Sequence, residues 1–286
     1  MPSLIDIRRR IRSVNNTQQI TKAMKMVSAA KLRRAQARAI ASRRYAGMME
    51  RVLSNIAAAA AGLVDLAELP LLRIREEKRI QLLVVTGDRG LAGAFNANLL
   101  RAAQHFIDEH RASEICVESI GRKARDYFRK SGIPITGEHV GILEKPSYDD
   151  ARGIARKMIE LYSKGDTDAV YIIVNEFKTV MGSNLAIKRI LPIEMPESGE
   201  QIDYIYEQRA DELLSTLLPR YVEMSVYRAI LESVSAEHAA RMTAMDAATE
   251  NAAEVTQVLT LNLNRVRQSA ITTEIIEIVS GAAALT

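Results

Sequence analysis

Leu4-Ile5-Asp6-Ile7-Arg8-Arg9-Arg10-Ile11-Arg12-Ser13-Val14 sets Leu4, Ile7, Ile11 and Val14 three and four residues apart, with four arginines on the other faces. That spacing is the a/d seam of a coiled coil. Further on the stripe turns small or polar, at Gln18, Thr21, Lys25 and Ser28, so pairing weakens there or leaves faces for another protein. Near the other terminus Ile271, Ile275, Ile278, Ala282 and Leu285 repeat the same steps, with polar residues before them at Asn262 and Asn264. Two seams at two chain ends make one antiparallel hairpin of helices the simplest assembly.

Glycine and proline punctuate structure, and here they are unevenly spread. Of the 14 Gly and 7 Pro, all but Pro2 and Gly281 lie from Gly47 to Pro219, which leaves 44 residues free of both before Gly47 and 61 after Pro219. Both ends therefore read as very long helices. At 1.5 Å per residue the C-terminal one reaches about 90 Å, too long for a small domain to cover, so the ends support each other or are wrapped by partners.

The middle has a different grammar. Ile80–Thr86, Ile115–Ser119 and Ala169–Asn175 are short runs rich in Val and Ile, separated by helical stretches that include Phe95–Glu109 and Tyr148–Ser163. This β-α-β alternation predicts a mostly parallel sheet covered by helices. Leu185–Ile193 and Ile202–Tyr206 flank a turn at Pro196, Ser198 and Gly199 and read as a closing hairpin. The expected fold class is α/β plus coiled coil, with residues 1–60 as the N-terminal long helix, 75–205 as a central Rossmann-like domain and 207–286 as the C-terminal long helix.

Composition narrows the function classes. With 48% hydrophobic and 26% charged residues, no stretch approaches the roughly 18 apolar residues of a membrane span, and the first residues lack an apolar signal core, so the chain is expected neither to span a membrane nor to be secreted. One cysteine, Cys116, excludes an internal disulfide and a thiolate metal cluster. No tryptophan and 5% aromatics suit a chain that builds much of its burial from aliphatic helix seams. The net charge of +4 hides an asymmetry: residues 1–44 hold twelve basic residues against Asp6 alone, a balance of +11 that leaves −7 for the rest. A basic helix can bind nucleic acid, an anionic membrane or an acidic protein surface. No aromatic ring precedes Tyr45, which speaks against a nucleic-acid reader.

Thr86-Gly87-Asp88-Arg89-Gly90-Leu91-Ala92-Gly93 follows the first strand and precedes a helix, where a glycine-rich loop can cradle phosphate. Its glycines fit neither the dinucleotide fingerprint nor the P-loop, so a tight strand-to-helix turn is the better reading. A small α/β enzyme using this loop stays open as a rival. His105, His110, His139 and His238 stand isolated, and acids such as Glu250, Glu254, Glu274 and Glu277 mark solvated or partner-facing helix sides. We expect no catalytic residue, cofactor or metal.

Three segments carry a resemblance. Ile11–Leu32 (IRSVNNTQQITKAMKMVSAAKL), Asp88–Asn98 (DRGLAGAFNAN) and Arg265–Leu285 (RVRQSAITTEIIEIVSGAAAL) closely resemble the gamma subunits of F-type ATP synthases, and the likeness covers nearly the whole chain. The resemblance implies a non-catalytic rotor, the central stalk of a proton-translocating ATP synthase, whose terminal helices turn inside a ring of alpha and beta subunits. It implies that Arg267 and Gln268, with Thr272, grip the beta subunit, and that Met24 and Lys25 face an acidic beta-subunit loop. It places Tyr204, Tyr206 and Glu207 at a foot against the membrane c-ring and the epsilon subunit. The chain would then bind no nucleic acid and meet the membrane only through the complex. The absence of an obvious transit peptide favours the cytoplasmic face of a bacterial inner membrane. A basic coiled-coil nucleic-acid-binding protein is the alternative.

Overall fold

The computed structural model describes residues 3–60, 69–179, 182–195 and 209–283. In chain order they form α1 (Leu4–Ala60), β1 (Arg79–Val85), α2 (Phe95–Glu109), β2 (Glu114–Ile120), α3 (Arg122–Ser131), β3 (Ile135–His139), a single 3-10 turn (Ile142–Glu144), α4 (Tyr148–Lys164), β4 (Ala169–Thr179), β5 (Gly182–Leu191) and α5 (Ala210–Ala283). The fold is α/β plus coiled coil, and it divides into two compact units: Met1–Ser28 with Met242–Thr286, and Ala29–Arg241.

The larger unit is built on a five-stranded sheet of order β3-β2-β1-β4-β5. β1, β2, β3 and β4 are parallel, and β5 returns antiparallel to β4. β1 is buried from Ile80 to Val85, as expected of a strand covered on both faces. Ile80, Leu82 and Val84 meet Phe95, Leu99 and Phe106 of α2 and Phe128 of α3. On the other face Leu83 and Val85 join Ile154, Met158 and Tyr162 of α4, Leu53 and Ile56 of α1, and Leu214, Leu218, Val222, Val226 and Ile230 of α5. These α5 residues recur every fourth position, a buried stripe that carries the helix through Pro219. A proline inside a helix removes one backbone hydrogen bond at about 3 kcal/mol, and burial of that stripe offsets it.

The expected closing hairpin falls partly outside the described residues. Leu185 to Leu191 lie in β5, whose partner is β4, and Ile202–Tyr206 falls outside the described residues.

The smaller unit is a pair of antiparallel helical segments. Their register is fixed by polar side chains: the Thr256 hydroxyl donates to Asn15 Oδ1 at 3.1 Å, Thr21 and Thr249 share a hydroxyl hydrogen bond of 2.7 Å, and Lys25 bonds Asp246. From Leu4 to Ser28 the shielded residues of α1 are Leu4, Ile7, Ile11, Val14, Asn15, Gln18, Thr21, Met24, Lys25 and Ser28, a set that contains the heptad stripe read from the sequence. On α5 the shielded stripe includes Met245, Thr249, Ala252, Thr256, Leu259, Leu263, Val266 and Ala270. This corrects the C-terminal seam, because Ile271, Ile275 and Ile278 are 49%, 55% and 72% exposed. The reason is register. Paired residue numbers add to 270 or 271, so Leu4 lies level with about residue 267, and later turns of α5 have no described turn of α1 beside them. The side chain of Ala282 and all of Leu285 lie outside the described residues.

Candidate functional site

The residues singled out for partner contact separate into patches. Met24 is partly buried, and Lys25 is half-exposed in its ion pair with Asp246. Arg267, Gln268 and Thr272 are exposed on α5, where the Thr272 hydroxyl donates to the Gln268 carbonyl at 2.9 Å. Arg267 stands 21 residues beyond Asp246, so about 30 Å of helix separates this patch from Lys25. Around it Ile271, Ile275, Ile276, Ile278 and Val279 are all exposed, a cluster of large apolar side chains of the kind that marks an interaction surface. Arg8, Arg9, Arg10 and Arg12 on α1 are exposed and make no ion pair among the described residues. Tyr204, Tyr206 and Glu207 lie outside the described residues.

The glycine-rich loop is closed by its own chain. The first three backbone N–H groups of α3, which a helix leaves without internal partners, all donate to the loop. Arg122 N reaches Asp88 Oδ1 at 2.9 Å, Lys123 N the Gly87 carbonyl at 3.2 Å, and Ala124 N the Thr86 hydroxyl at 2.8 Å. The other Asp88 oxygen accepts from Gly141 N at 3.1 Å. The Asp88 carboxylate thus caps α3, the helix that follows β2, and not α2, the helix into which the loop leads. Asn96 holds the loop from the other side, accepting from Gly87 N and donating to the Arg89 carbonyl. Glu237 of α5 packs so close that a Cβ on Gly87 would stand 2.8 Å from Glu237 Oε1. The same carboxylate pairs with Arg241, which also donates to the Gly90 carbonyl at 3.2 Å. The loop is a cap and a helix seat.

One polar cluster escaped the sequence reading. Glu118, in the middle of β2, is fully buried and accepts from Thr136 at 2.8 Å and from Lys157 Nζ at 2.8 and 3.1 Å, with the His139 ring nitrogen 2.7 Å away. Burial pushes its carboxyl up, but the hydrogen bonds from His139, Lys157 and Thr136 outweigh that and hold it below the usual range. An acid inside the apolar run Ile115–Ile120 was the available signal. The cluster fastens the edge strand β3 to β2 and α4. Among the described residues, no group of three or more His, Cys, Asp or Glu is placed to hold a metal ion, and no helix is long and apolar enough to cross a membrane.

Comparison with known proteins gives this geometry a setting. A family model described as ATP synthase matches residues 3–285. The chain is 60% identical to the ATP synthase gamma chain of Solibacter usitatus, across 99% of both chains, and 46% identical to that of Pelotomaculum thermopropionicum across the whole of both. Two solved structures share the fold. One comes from the Euglena gracilis mitochondrial ATP synthase (TM-score 0.69, 18% identity, 99% of this chain and 94% of that one), the other from the central stalk and c-ring of the Tetrahymena thermophila enzyme (TM-score 0.60, 23% identity, 80% and 99%). A match from residue 3 to residue 285, with curated relatives this similar along their full length, places the chain in the ATP synthase gamma chain family.

Proposed function

We propose that the chain works as the rotating central shaft of a proton-translocating F-type ATP synthase, carrying torque from a membrane ring to catalytic sites held by other subunits. The observation that carries this reading is the antiparallel pair of helical segments, locked in register by polar side chains and continued by an exposed end of α5 with an apolar surface. Arg267, Gln268 and Thr272 then grip the ring of alpha and beta subunits at that end, and Met24 with Lys25 meets it lower on the pair. Tyr204, Tyr206 and Glu207 serve as the foot against the membrane c-ring and the epsilon subunit. The chain contributes no catalytic group, a reading supported by a glycine-rich loop whose Asp88, Gly87 and Thr86 are taken up in capping α3. It is peripheral, held through the complex on the cytoplasmic face of a bacterial inner membrane. No observation favours the nucleic-acid alternative.

The test is coupling in inverted membrane vesicles carrying the assembled complex. Replacing Arg267 and Gln268 together by Ala removes hydrogen bonds of about 1–3 kcal/mol each where a charge is involved. ATP hydrolysis and ATP synthesis should both slow, since the grip serves each direction. Tyr204→Ala with Tyr206→Ala and Glu207→Ala should instead let hydrolysis continue while proton pumping falls. Wild-type rates of both reactions in the first variant, or equal loss of both in an assembled foot variant, would overturn the assignment.

A further inference from the structure

A groove of about 930 Å³ runs over the larger unit between α4 and α5, with Tyr45 of α1 at its edge. α4 lines it from Tyr148 to Glu160 and α5 from Ser215 to Tyr227, so each wall offers about 18 Å of helix at 1.5 Å per residue. The walls are tied together by Glu223, which accepts from the Tyr148 hydroxyl at 2.7 Å and from Arg156 Nε at 3.1 Å, and by Tyr148 meeting Tyr227 edge-on at 5.7 Å. The groove is therefore built on rigid elements.

Its chemistry is that of an interface core. Ile159, Pro219 and Met224 supply apolar lining beneath the tyrosine rings, yet Tyr45 is 51% and Tyr148 38% exposed. Tyr, Met and Arg are the residues enriched where proteins meet, and Tyr and Arg dominate energetic hot spots. Two guanidinium groups on the rim are poorly committed. Among the described residues Arg220, which is exposed, has no ion pair, and Arg152 pairs only with Asp149, an exposed residue three positions back on its own helix. The acids nearby do not neutralise them: Glu223 is engaged by Tyr148 and Arg156, and Glu160 by Lys164.

From this geometry we propose that the groove docks an acidic amphipathic helix of another chain. About three turns of it fit the walls, with aliphatic side chains on the exposed rings of Tyr45 and Tyr148 and carboxylates facing Arg152 and Arg220. None of the residues lining this groove is one assigned to grip or foot, and the proposal does not rest on the rotor reading.

The test uses the full-length chain and fluorescence anisotropy. The probe is a fluorescein-labelled helical peptide of about 14 residues, with leucines along one face flanked by glutamates. A second peptide has lysine in place of every glutamate, and inorganic phosphate serves as competitor. The acidic peptide should bind saturably and the lysine peptide should not. Arg152→Glu with Arg220→Glu, both surface changes, should weaken the acidic peptide by at least about tenfold and create binding of the lysine peptide. Tyr45→Ala should weaken the acidic peptide while keeping the charge preference. Gain of the lysine peptide also shows that the reversed variant is folded. Failure of both peptides to bind, equal binding of the two, or indifference to the reversal would overturn the proposal. So would displacement by phosphate alone, which marks a simple anion site, or a dimer of the chain that the reversal abolishes.

Discussion

The sheet unit and the helical pair use the same aliphatic residues to different ends. In the sheet unit, Leu82, Leu83, Val84 and Val85 of one strand are all fully buried, with helices packed on both faces. Among the described residues of the pair only Ile7, Thr21, Ser28, Met245 and Ala252 are buried, and three of these five are small or polar. At about 25 cal/mol per Å² of apolar surface buried, the sheet unit holds itself together, while a stripe this narrow leaves most of each helix to solvent or to partners. Self-sufficiency in one unit and dependence in the other is the physical difference between a body and a bearing surface.

The strongest test of that contrast lies in the sheet unit. Gly121 has φ +96°, and a Cβ there would stand 1.9 Å from the Thr86 carbonyl oxygen. Gly121→Val should cost on the order of 3–5 kcal/mol, through strain and loss of the α3 cap. By calorimetry this is a fall of about 10 °C in the melting temperature of the sheet unit, and a shift of only a few degrees would mean that the cap yields cheaply.

The pair offers a sharper comparison within itself. Ile7→Asp puts a carboxylate into the buried stripe at about 2–3 kcal/mol, whereas Ile275→Asp lies on the exposed end. In the isolated chain, amide exchange of residues 4–28 should accelerate with the first change and stay unaltered with the second. Equal acceleration would place Ile275 back in the seam.

A smaller effect depends on pH. His238 has a buried Nδ1 with no hydrogen-bond partner among the described residues, and burial, with Arg241 and Lys31 nearby, lowers its pKa to about 4. Between that value and 6.5 the unfolded chain binds a proton that the folded one refuses, so stability falls as pH drops below 6.5 and levels off below about 4. Each pH unit costs about 1.4 kcal/mol at most, or roughly 2 kcal/mol between pH 6.5 and 5. Urea titrations should show this slope, and His238→Leu should flatten it. The smallest change is Lys25→Ala. Its ion pair with Asp246 is half-exposed on both sides and should contribute about 0.2–1 kcal/mol, vanishing at high salt.

How legible each part was from the sequence follows from where its stability originates. Phe95–Glu109 carries its own apolar periodicity between turn residues, and α2 has those bounds. Ile135–His139 escaped notice because Ile-Thr-Gly-Glu-His has one large apolar residue, and its strand is held by β2 and by the Glu118 cluster, contacts made across the fold. Pro219 lies inside α5, which passes through it on the strength of tertiary burial. Ile271, Ile275 and Ile278 show the limit of periodicity: the spacing tells which residues share a face, but only the register tells whether a partner reaches them. Of the candidate site residues, Lys25 and Arg267 were found by resemblance to a family, since neither has a local pattern that sets it apart from other exposed bases.

Asp88 has one more consequence. Where a sheet of this kind takes a phosphate from solution at a helix N-terminus, the added stability follows the ligand's concentration by mass action. Here the carboxylate is tethered beside Arg122 N and Gly141 N, and diffusion never removes it. That corner is permanently saturated. Its stiffness is the same whether nucleotide is scarce or plentiful, which suits a part that must behave identically while the reaction around it runs in either direction.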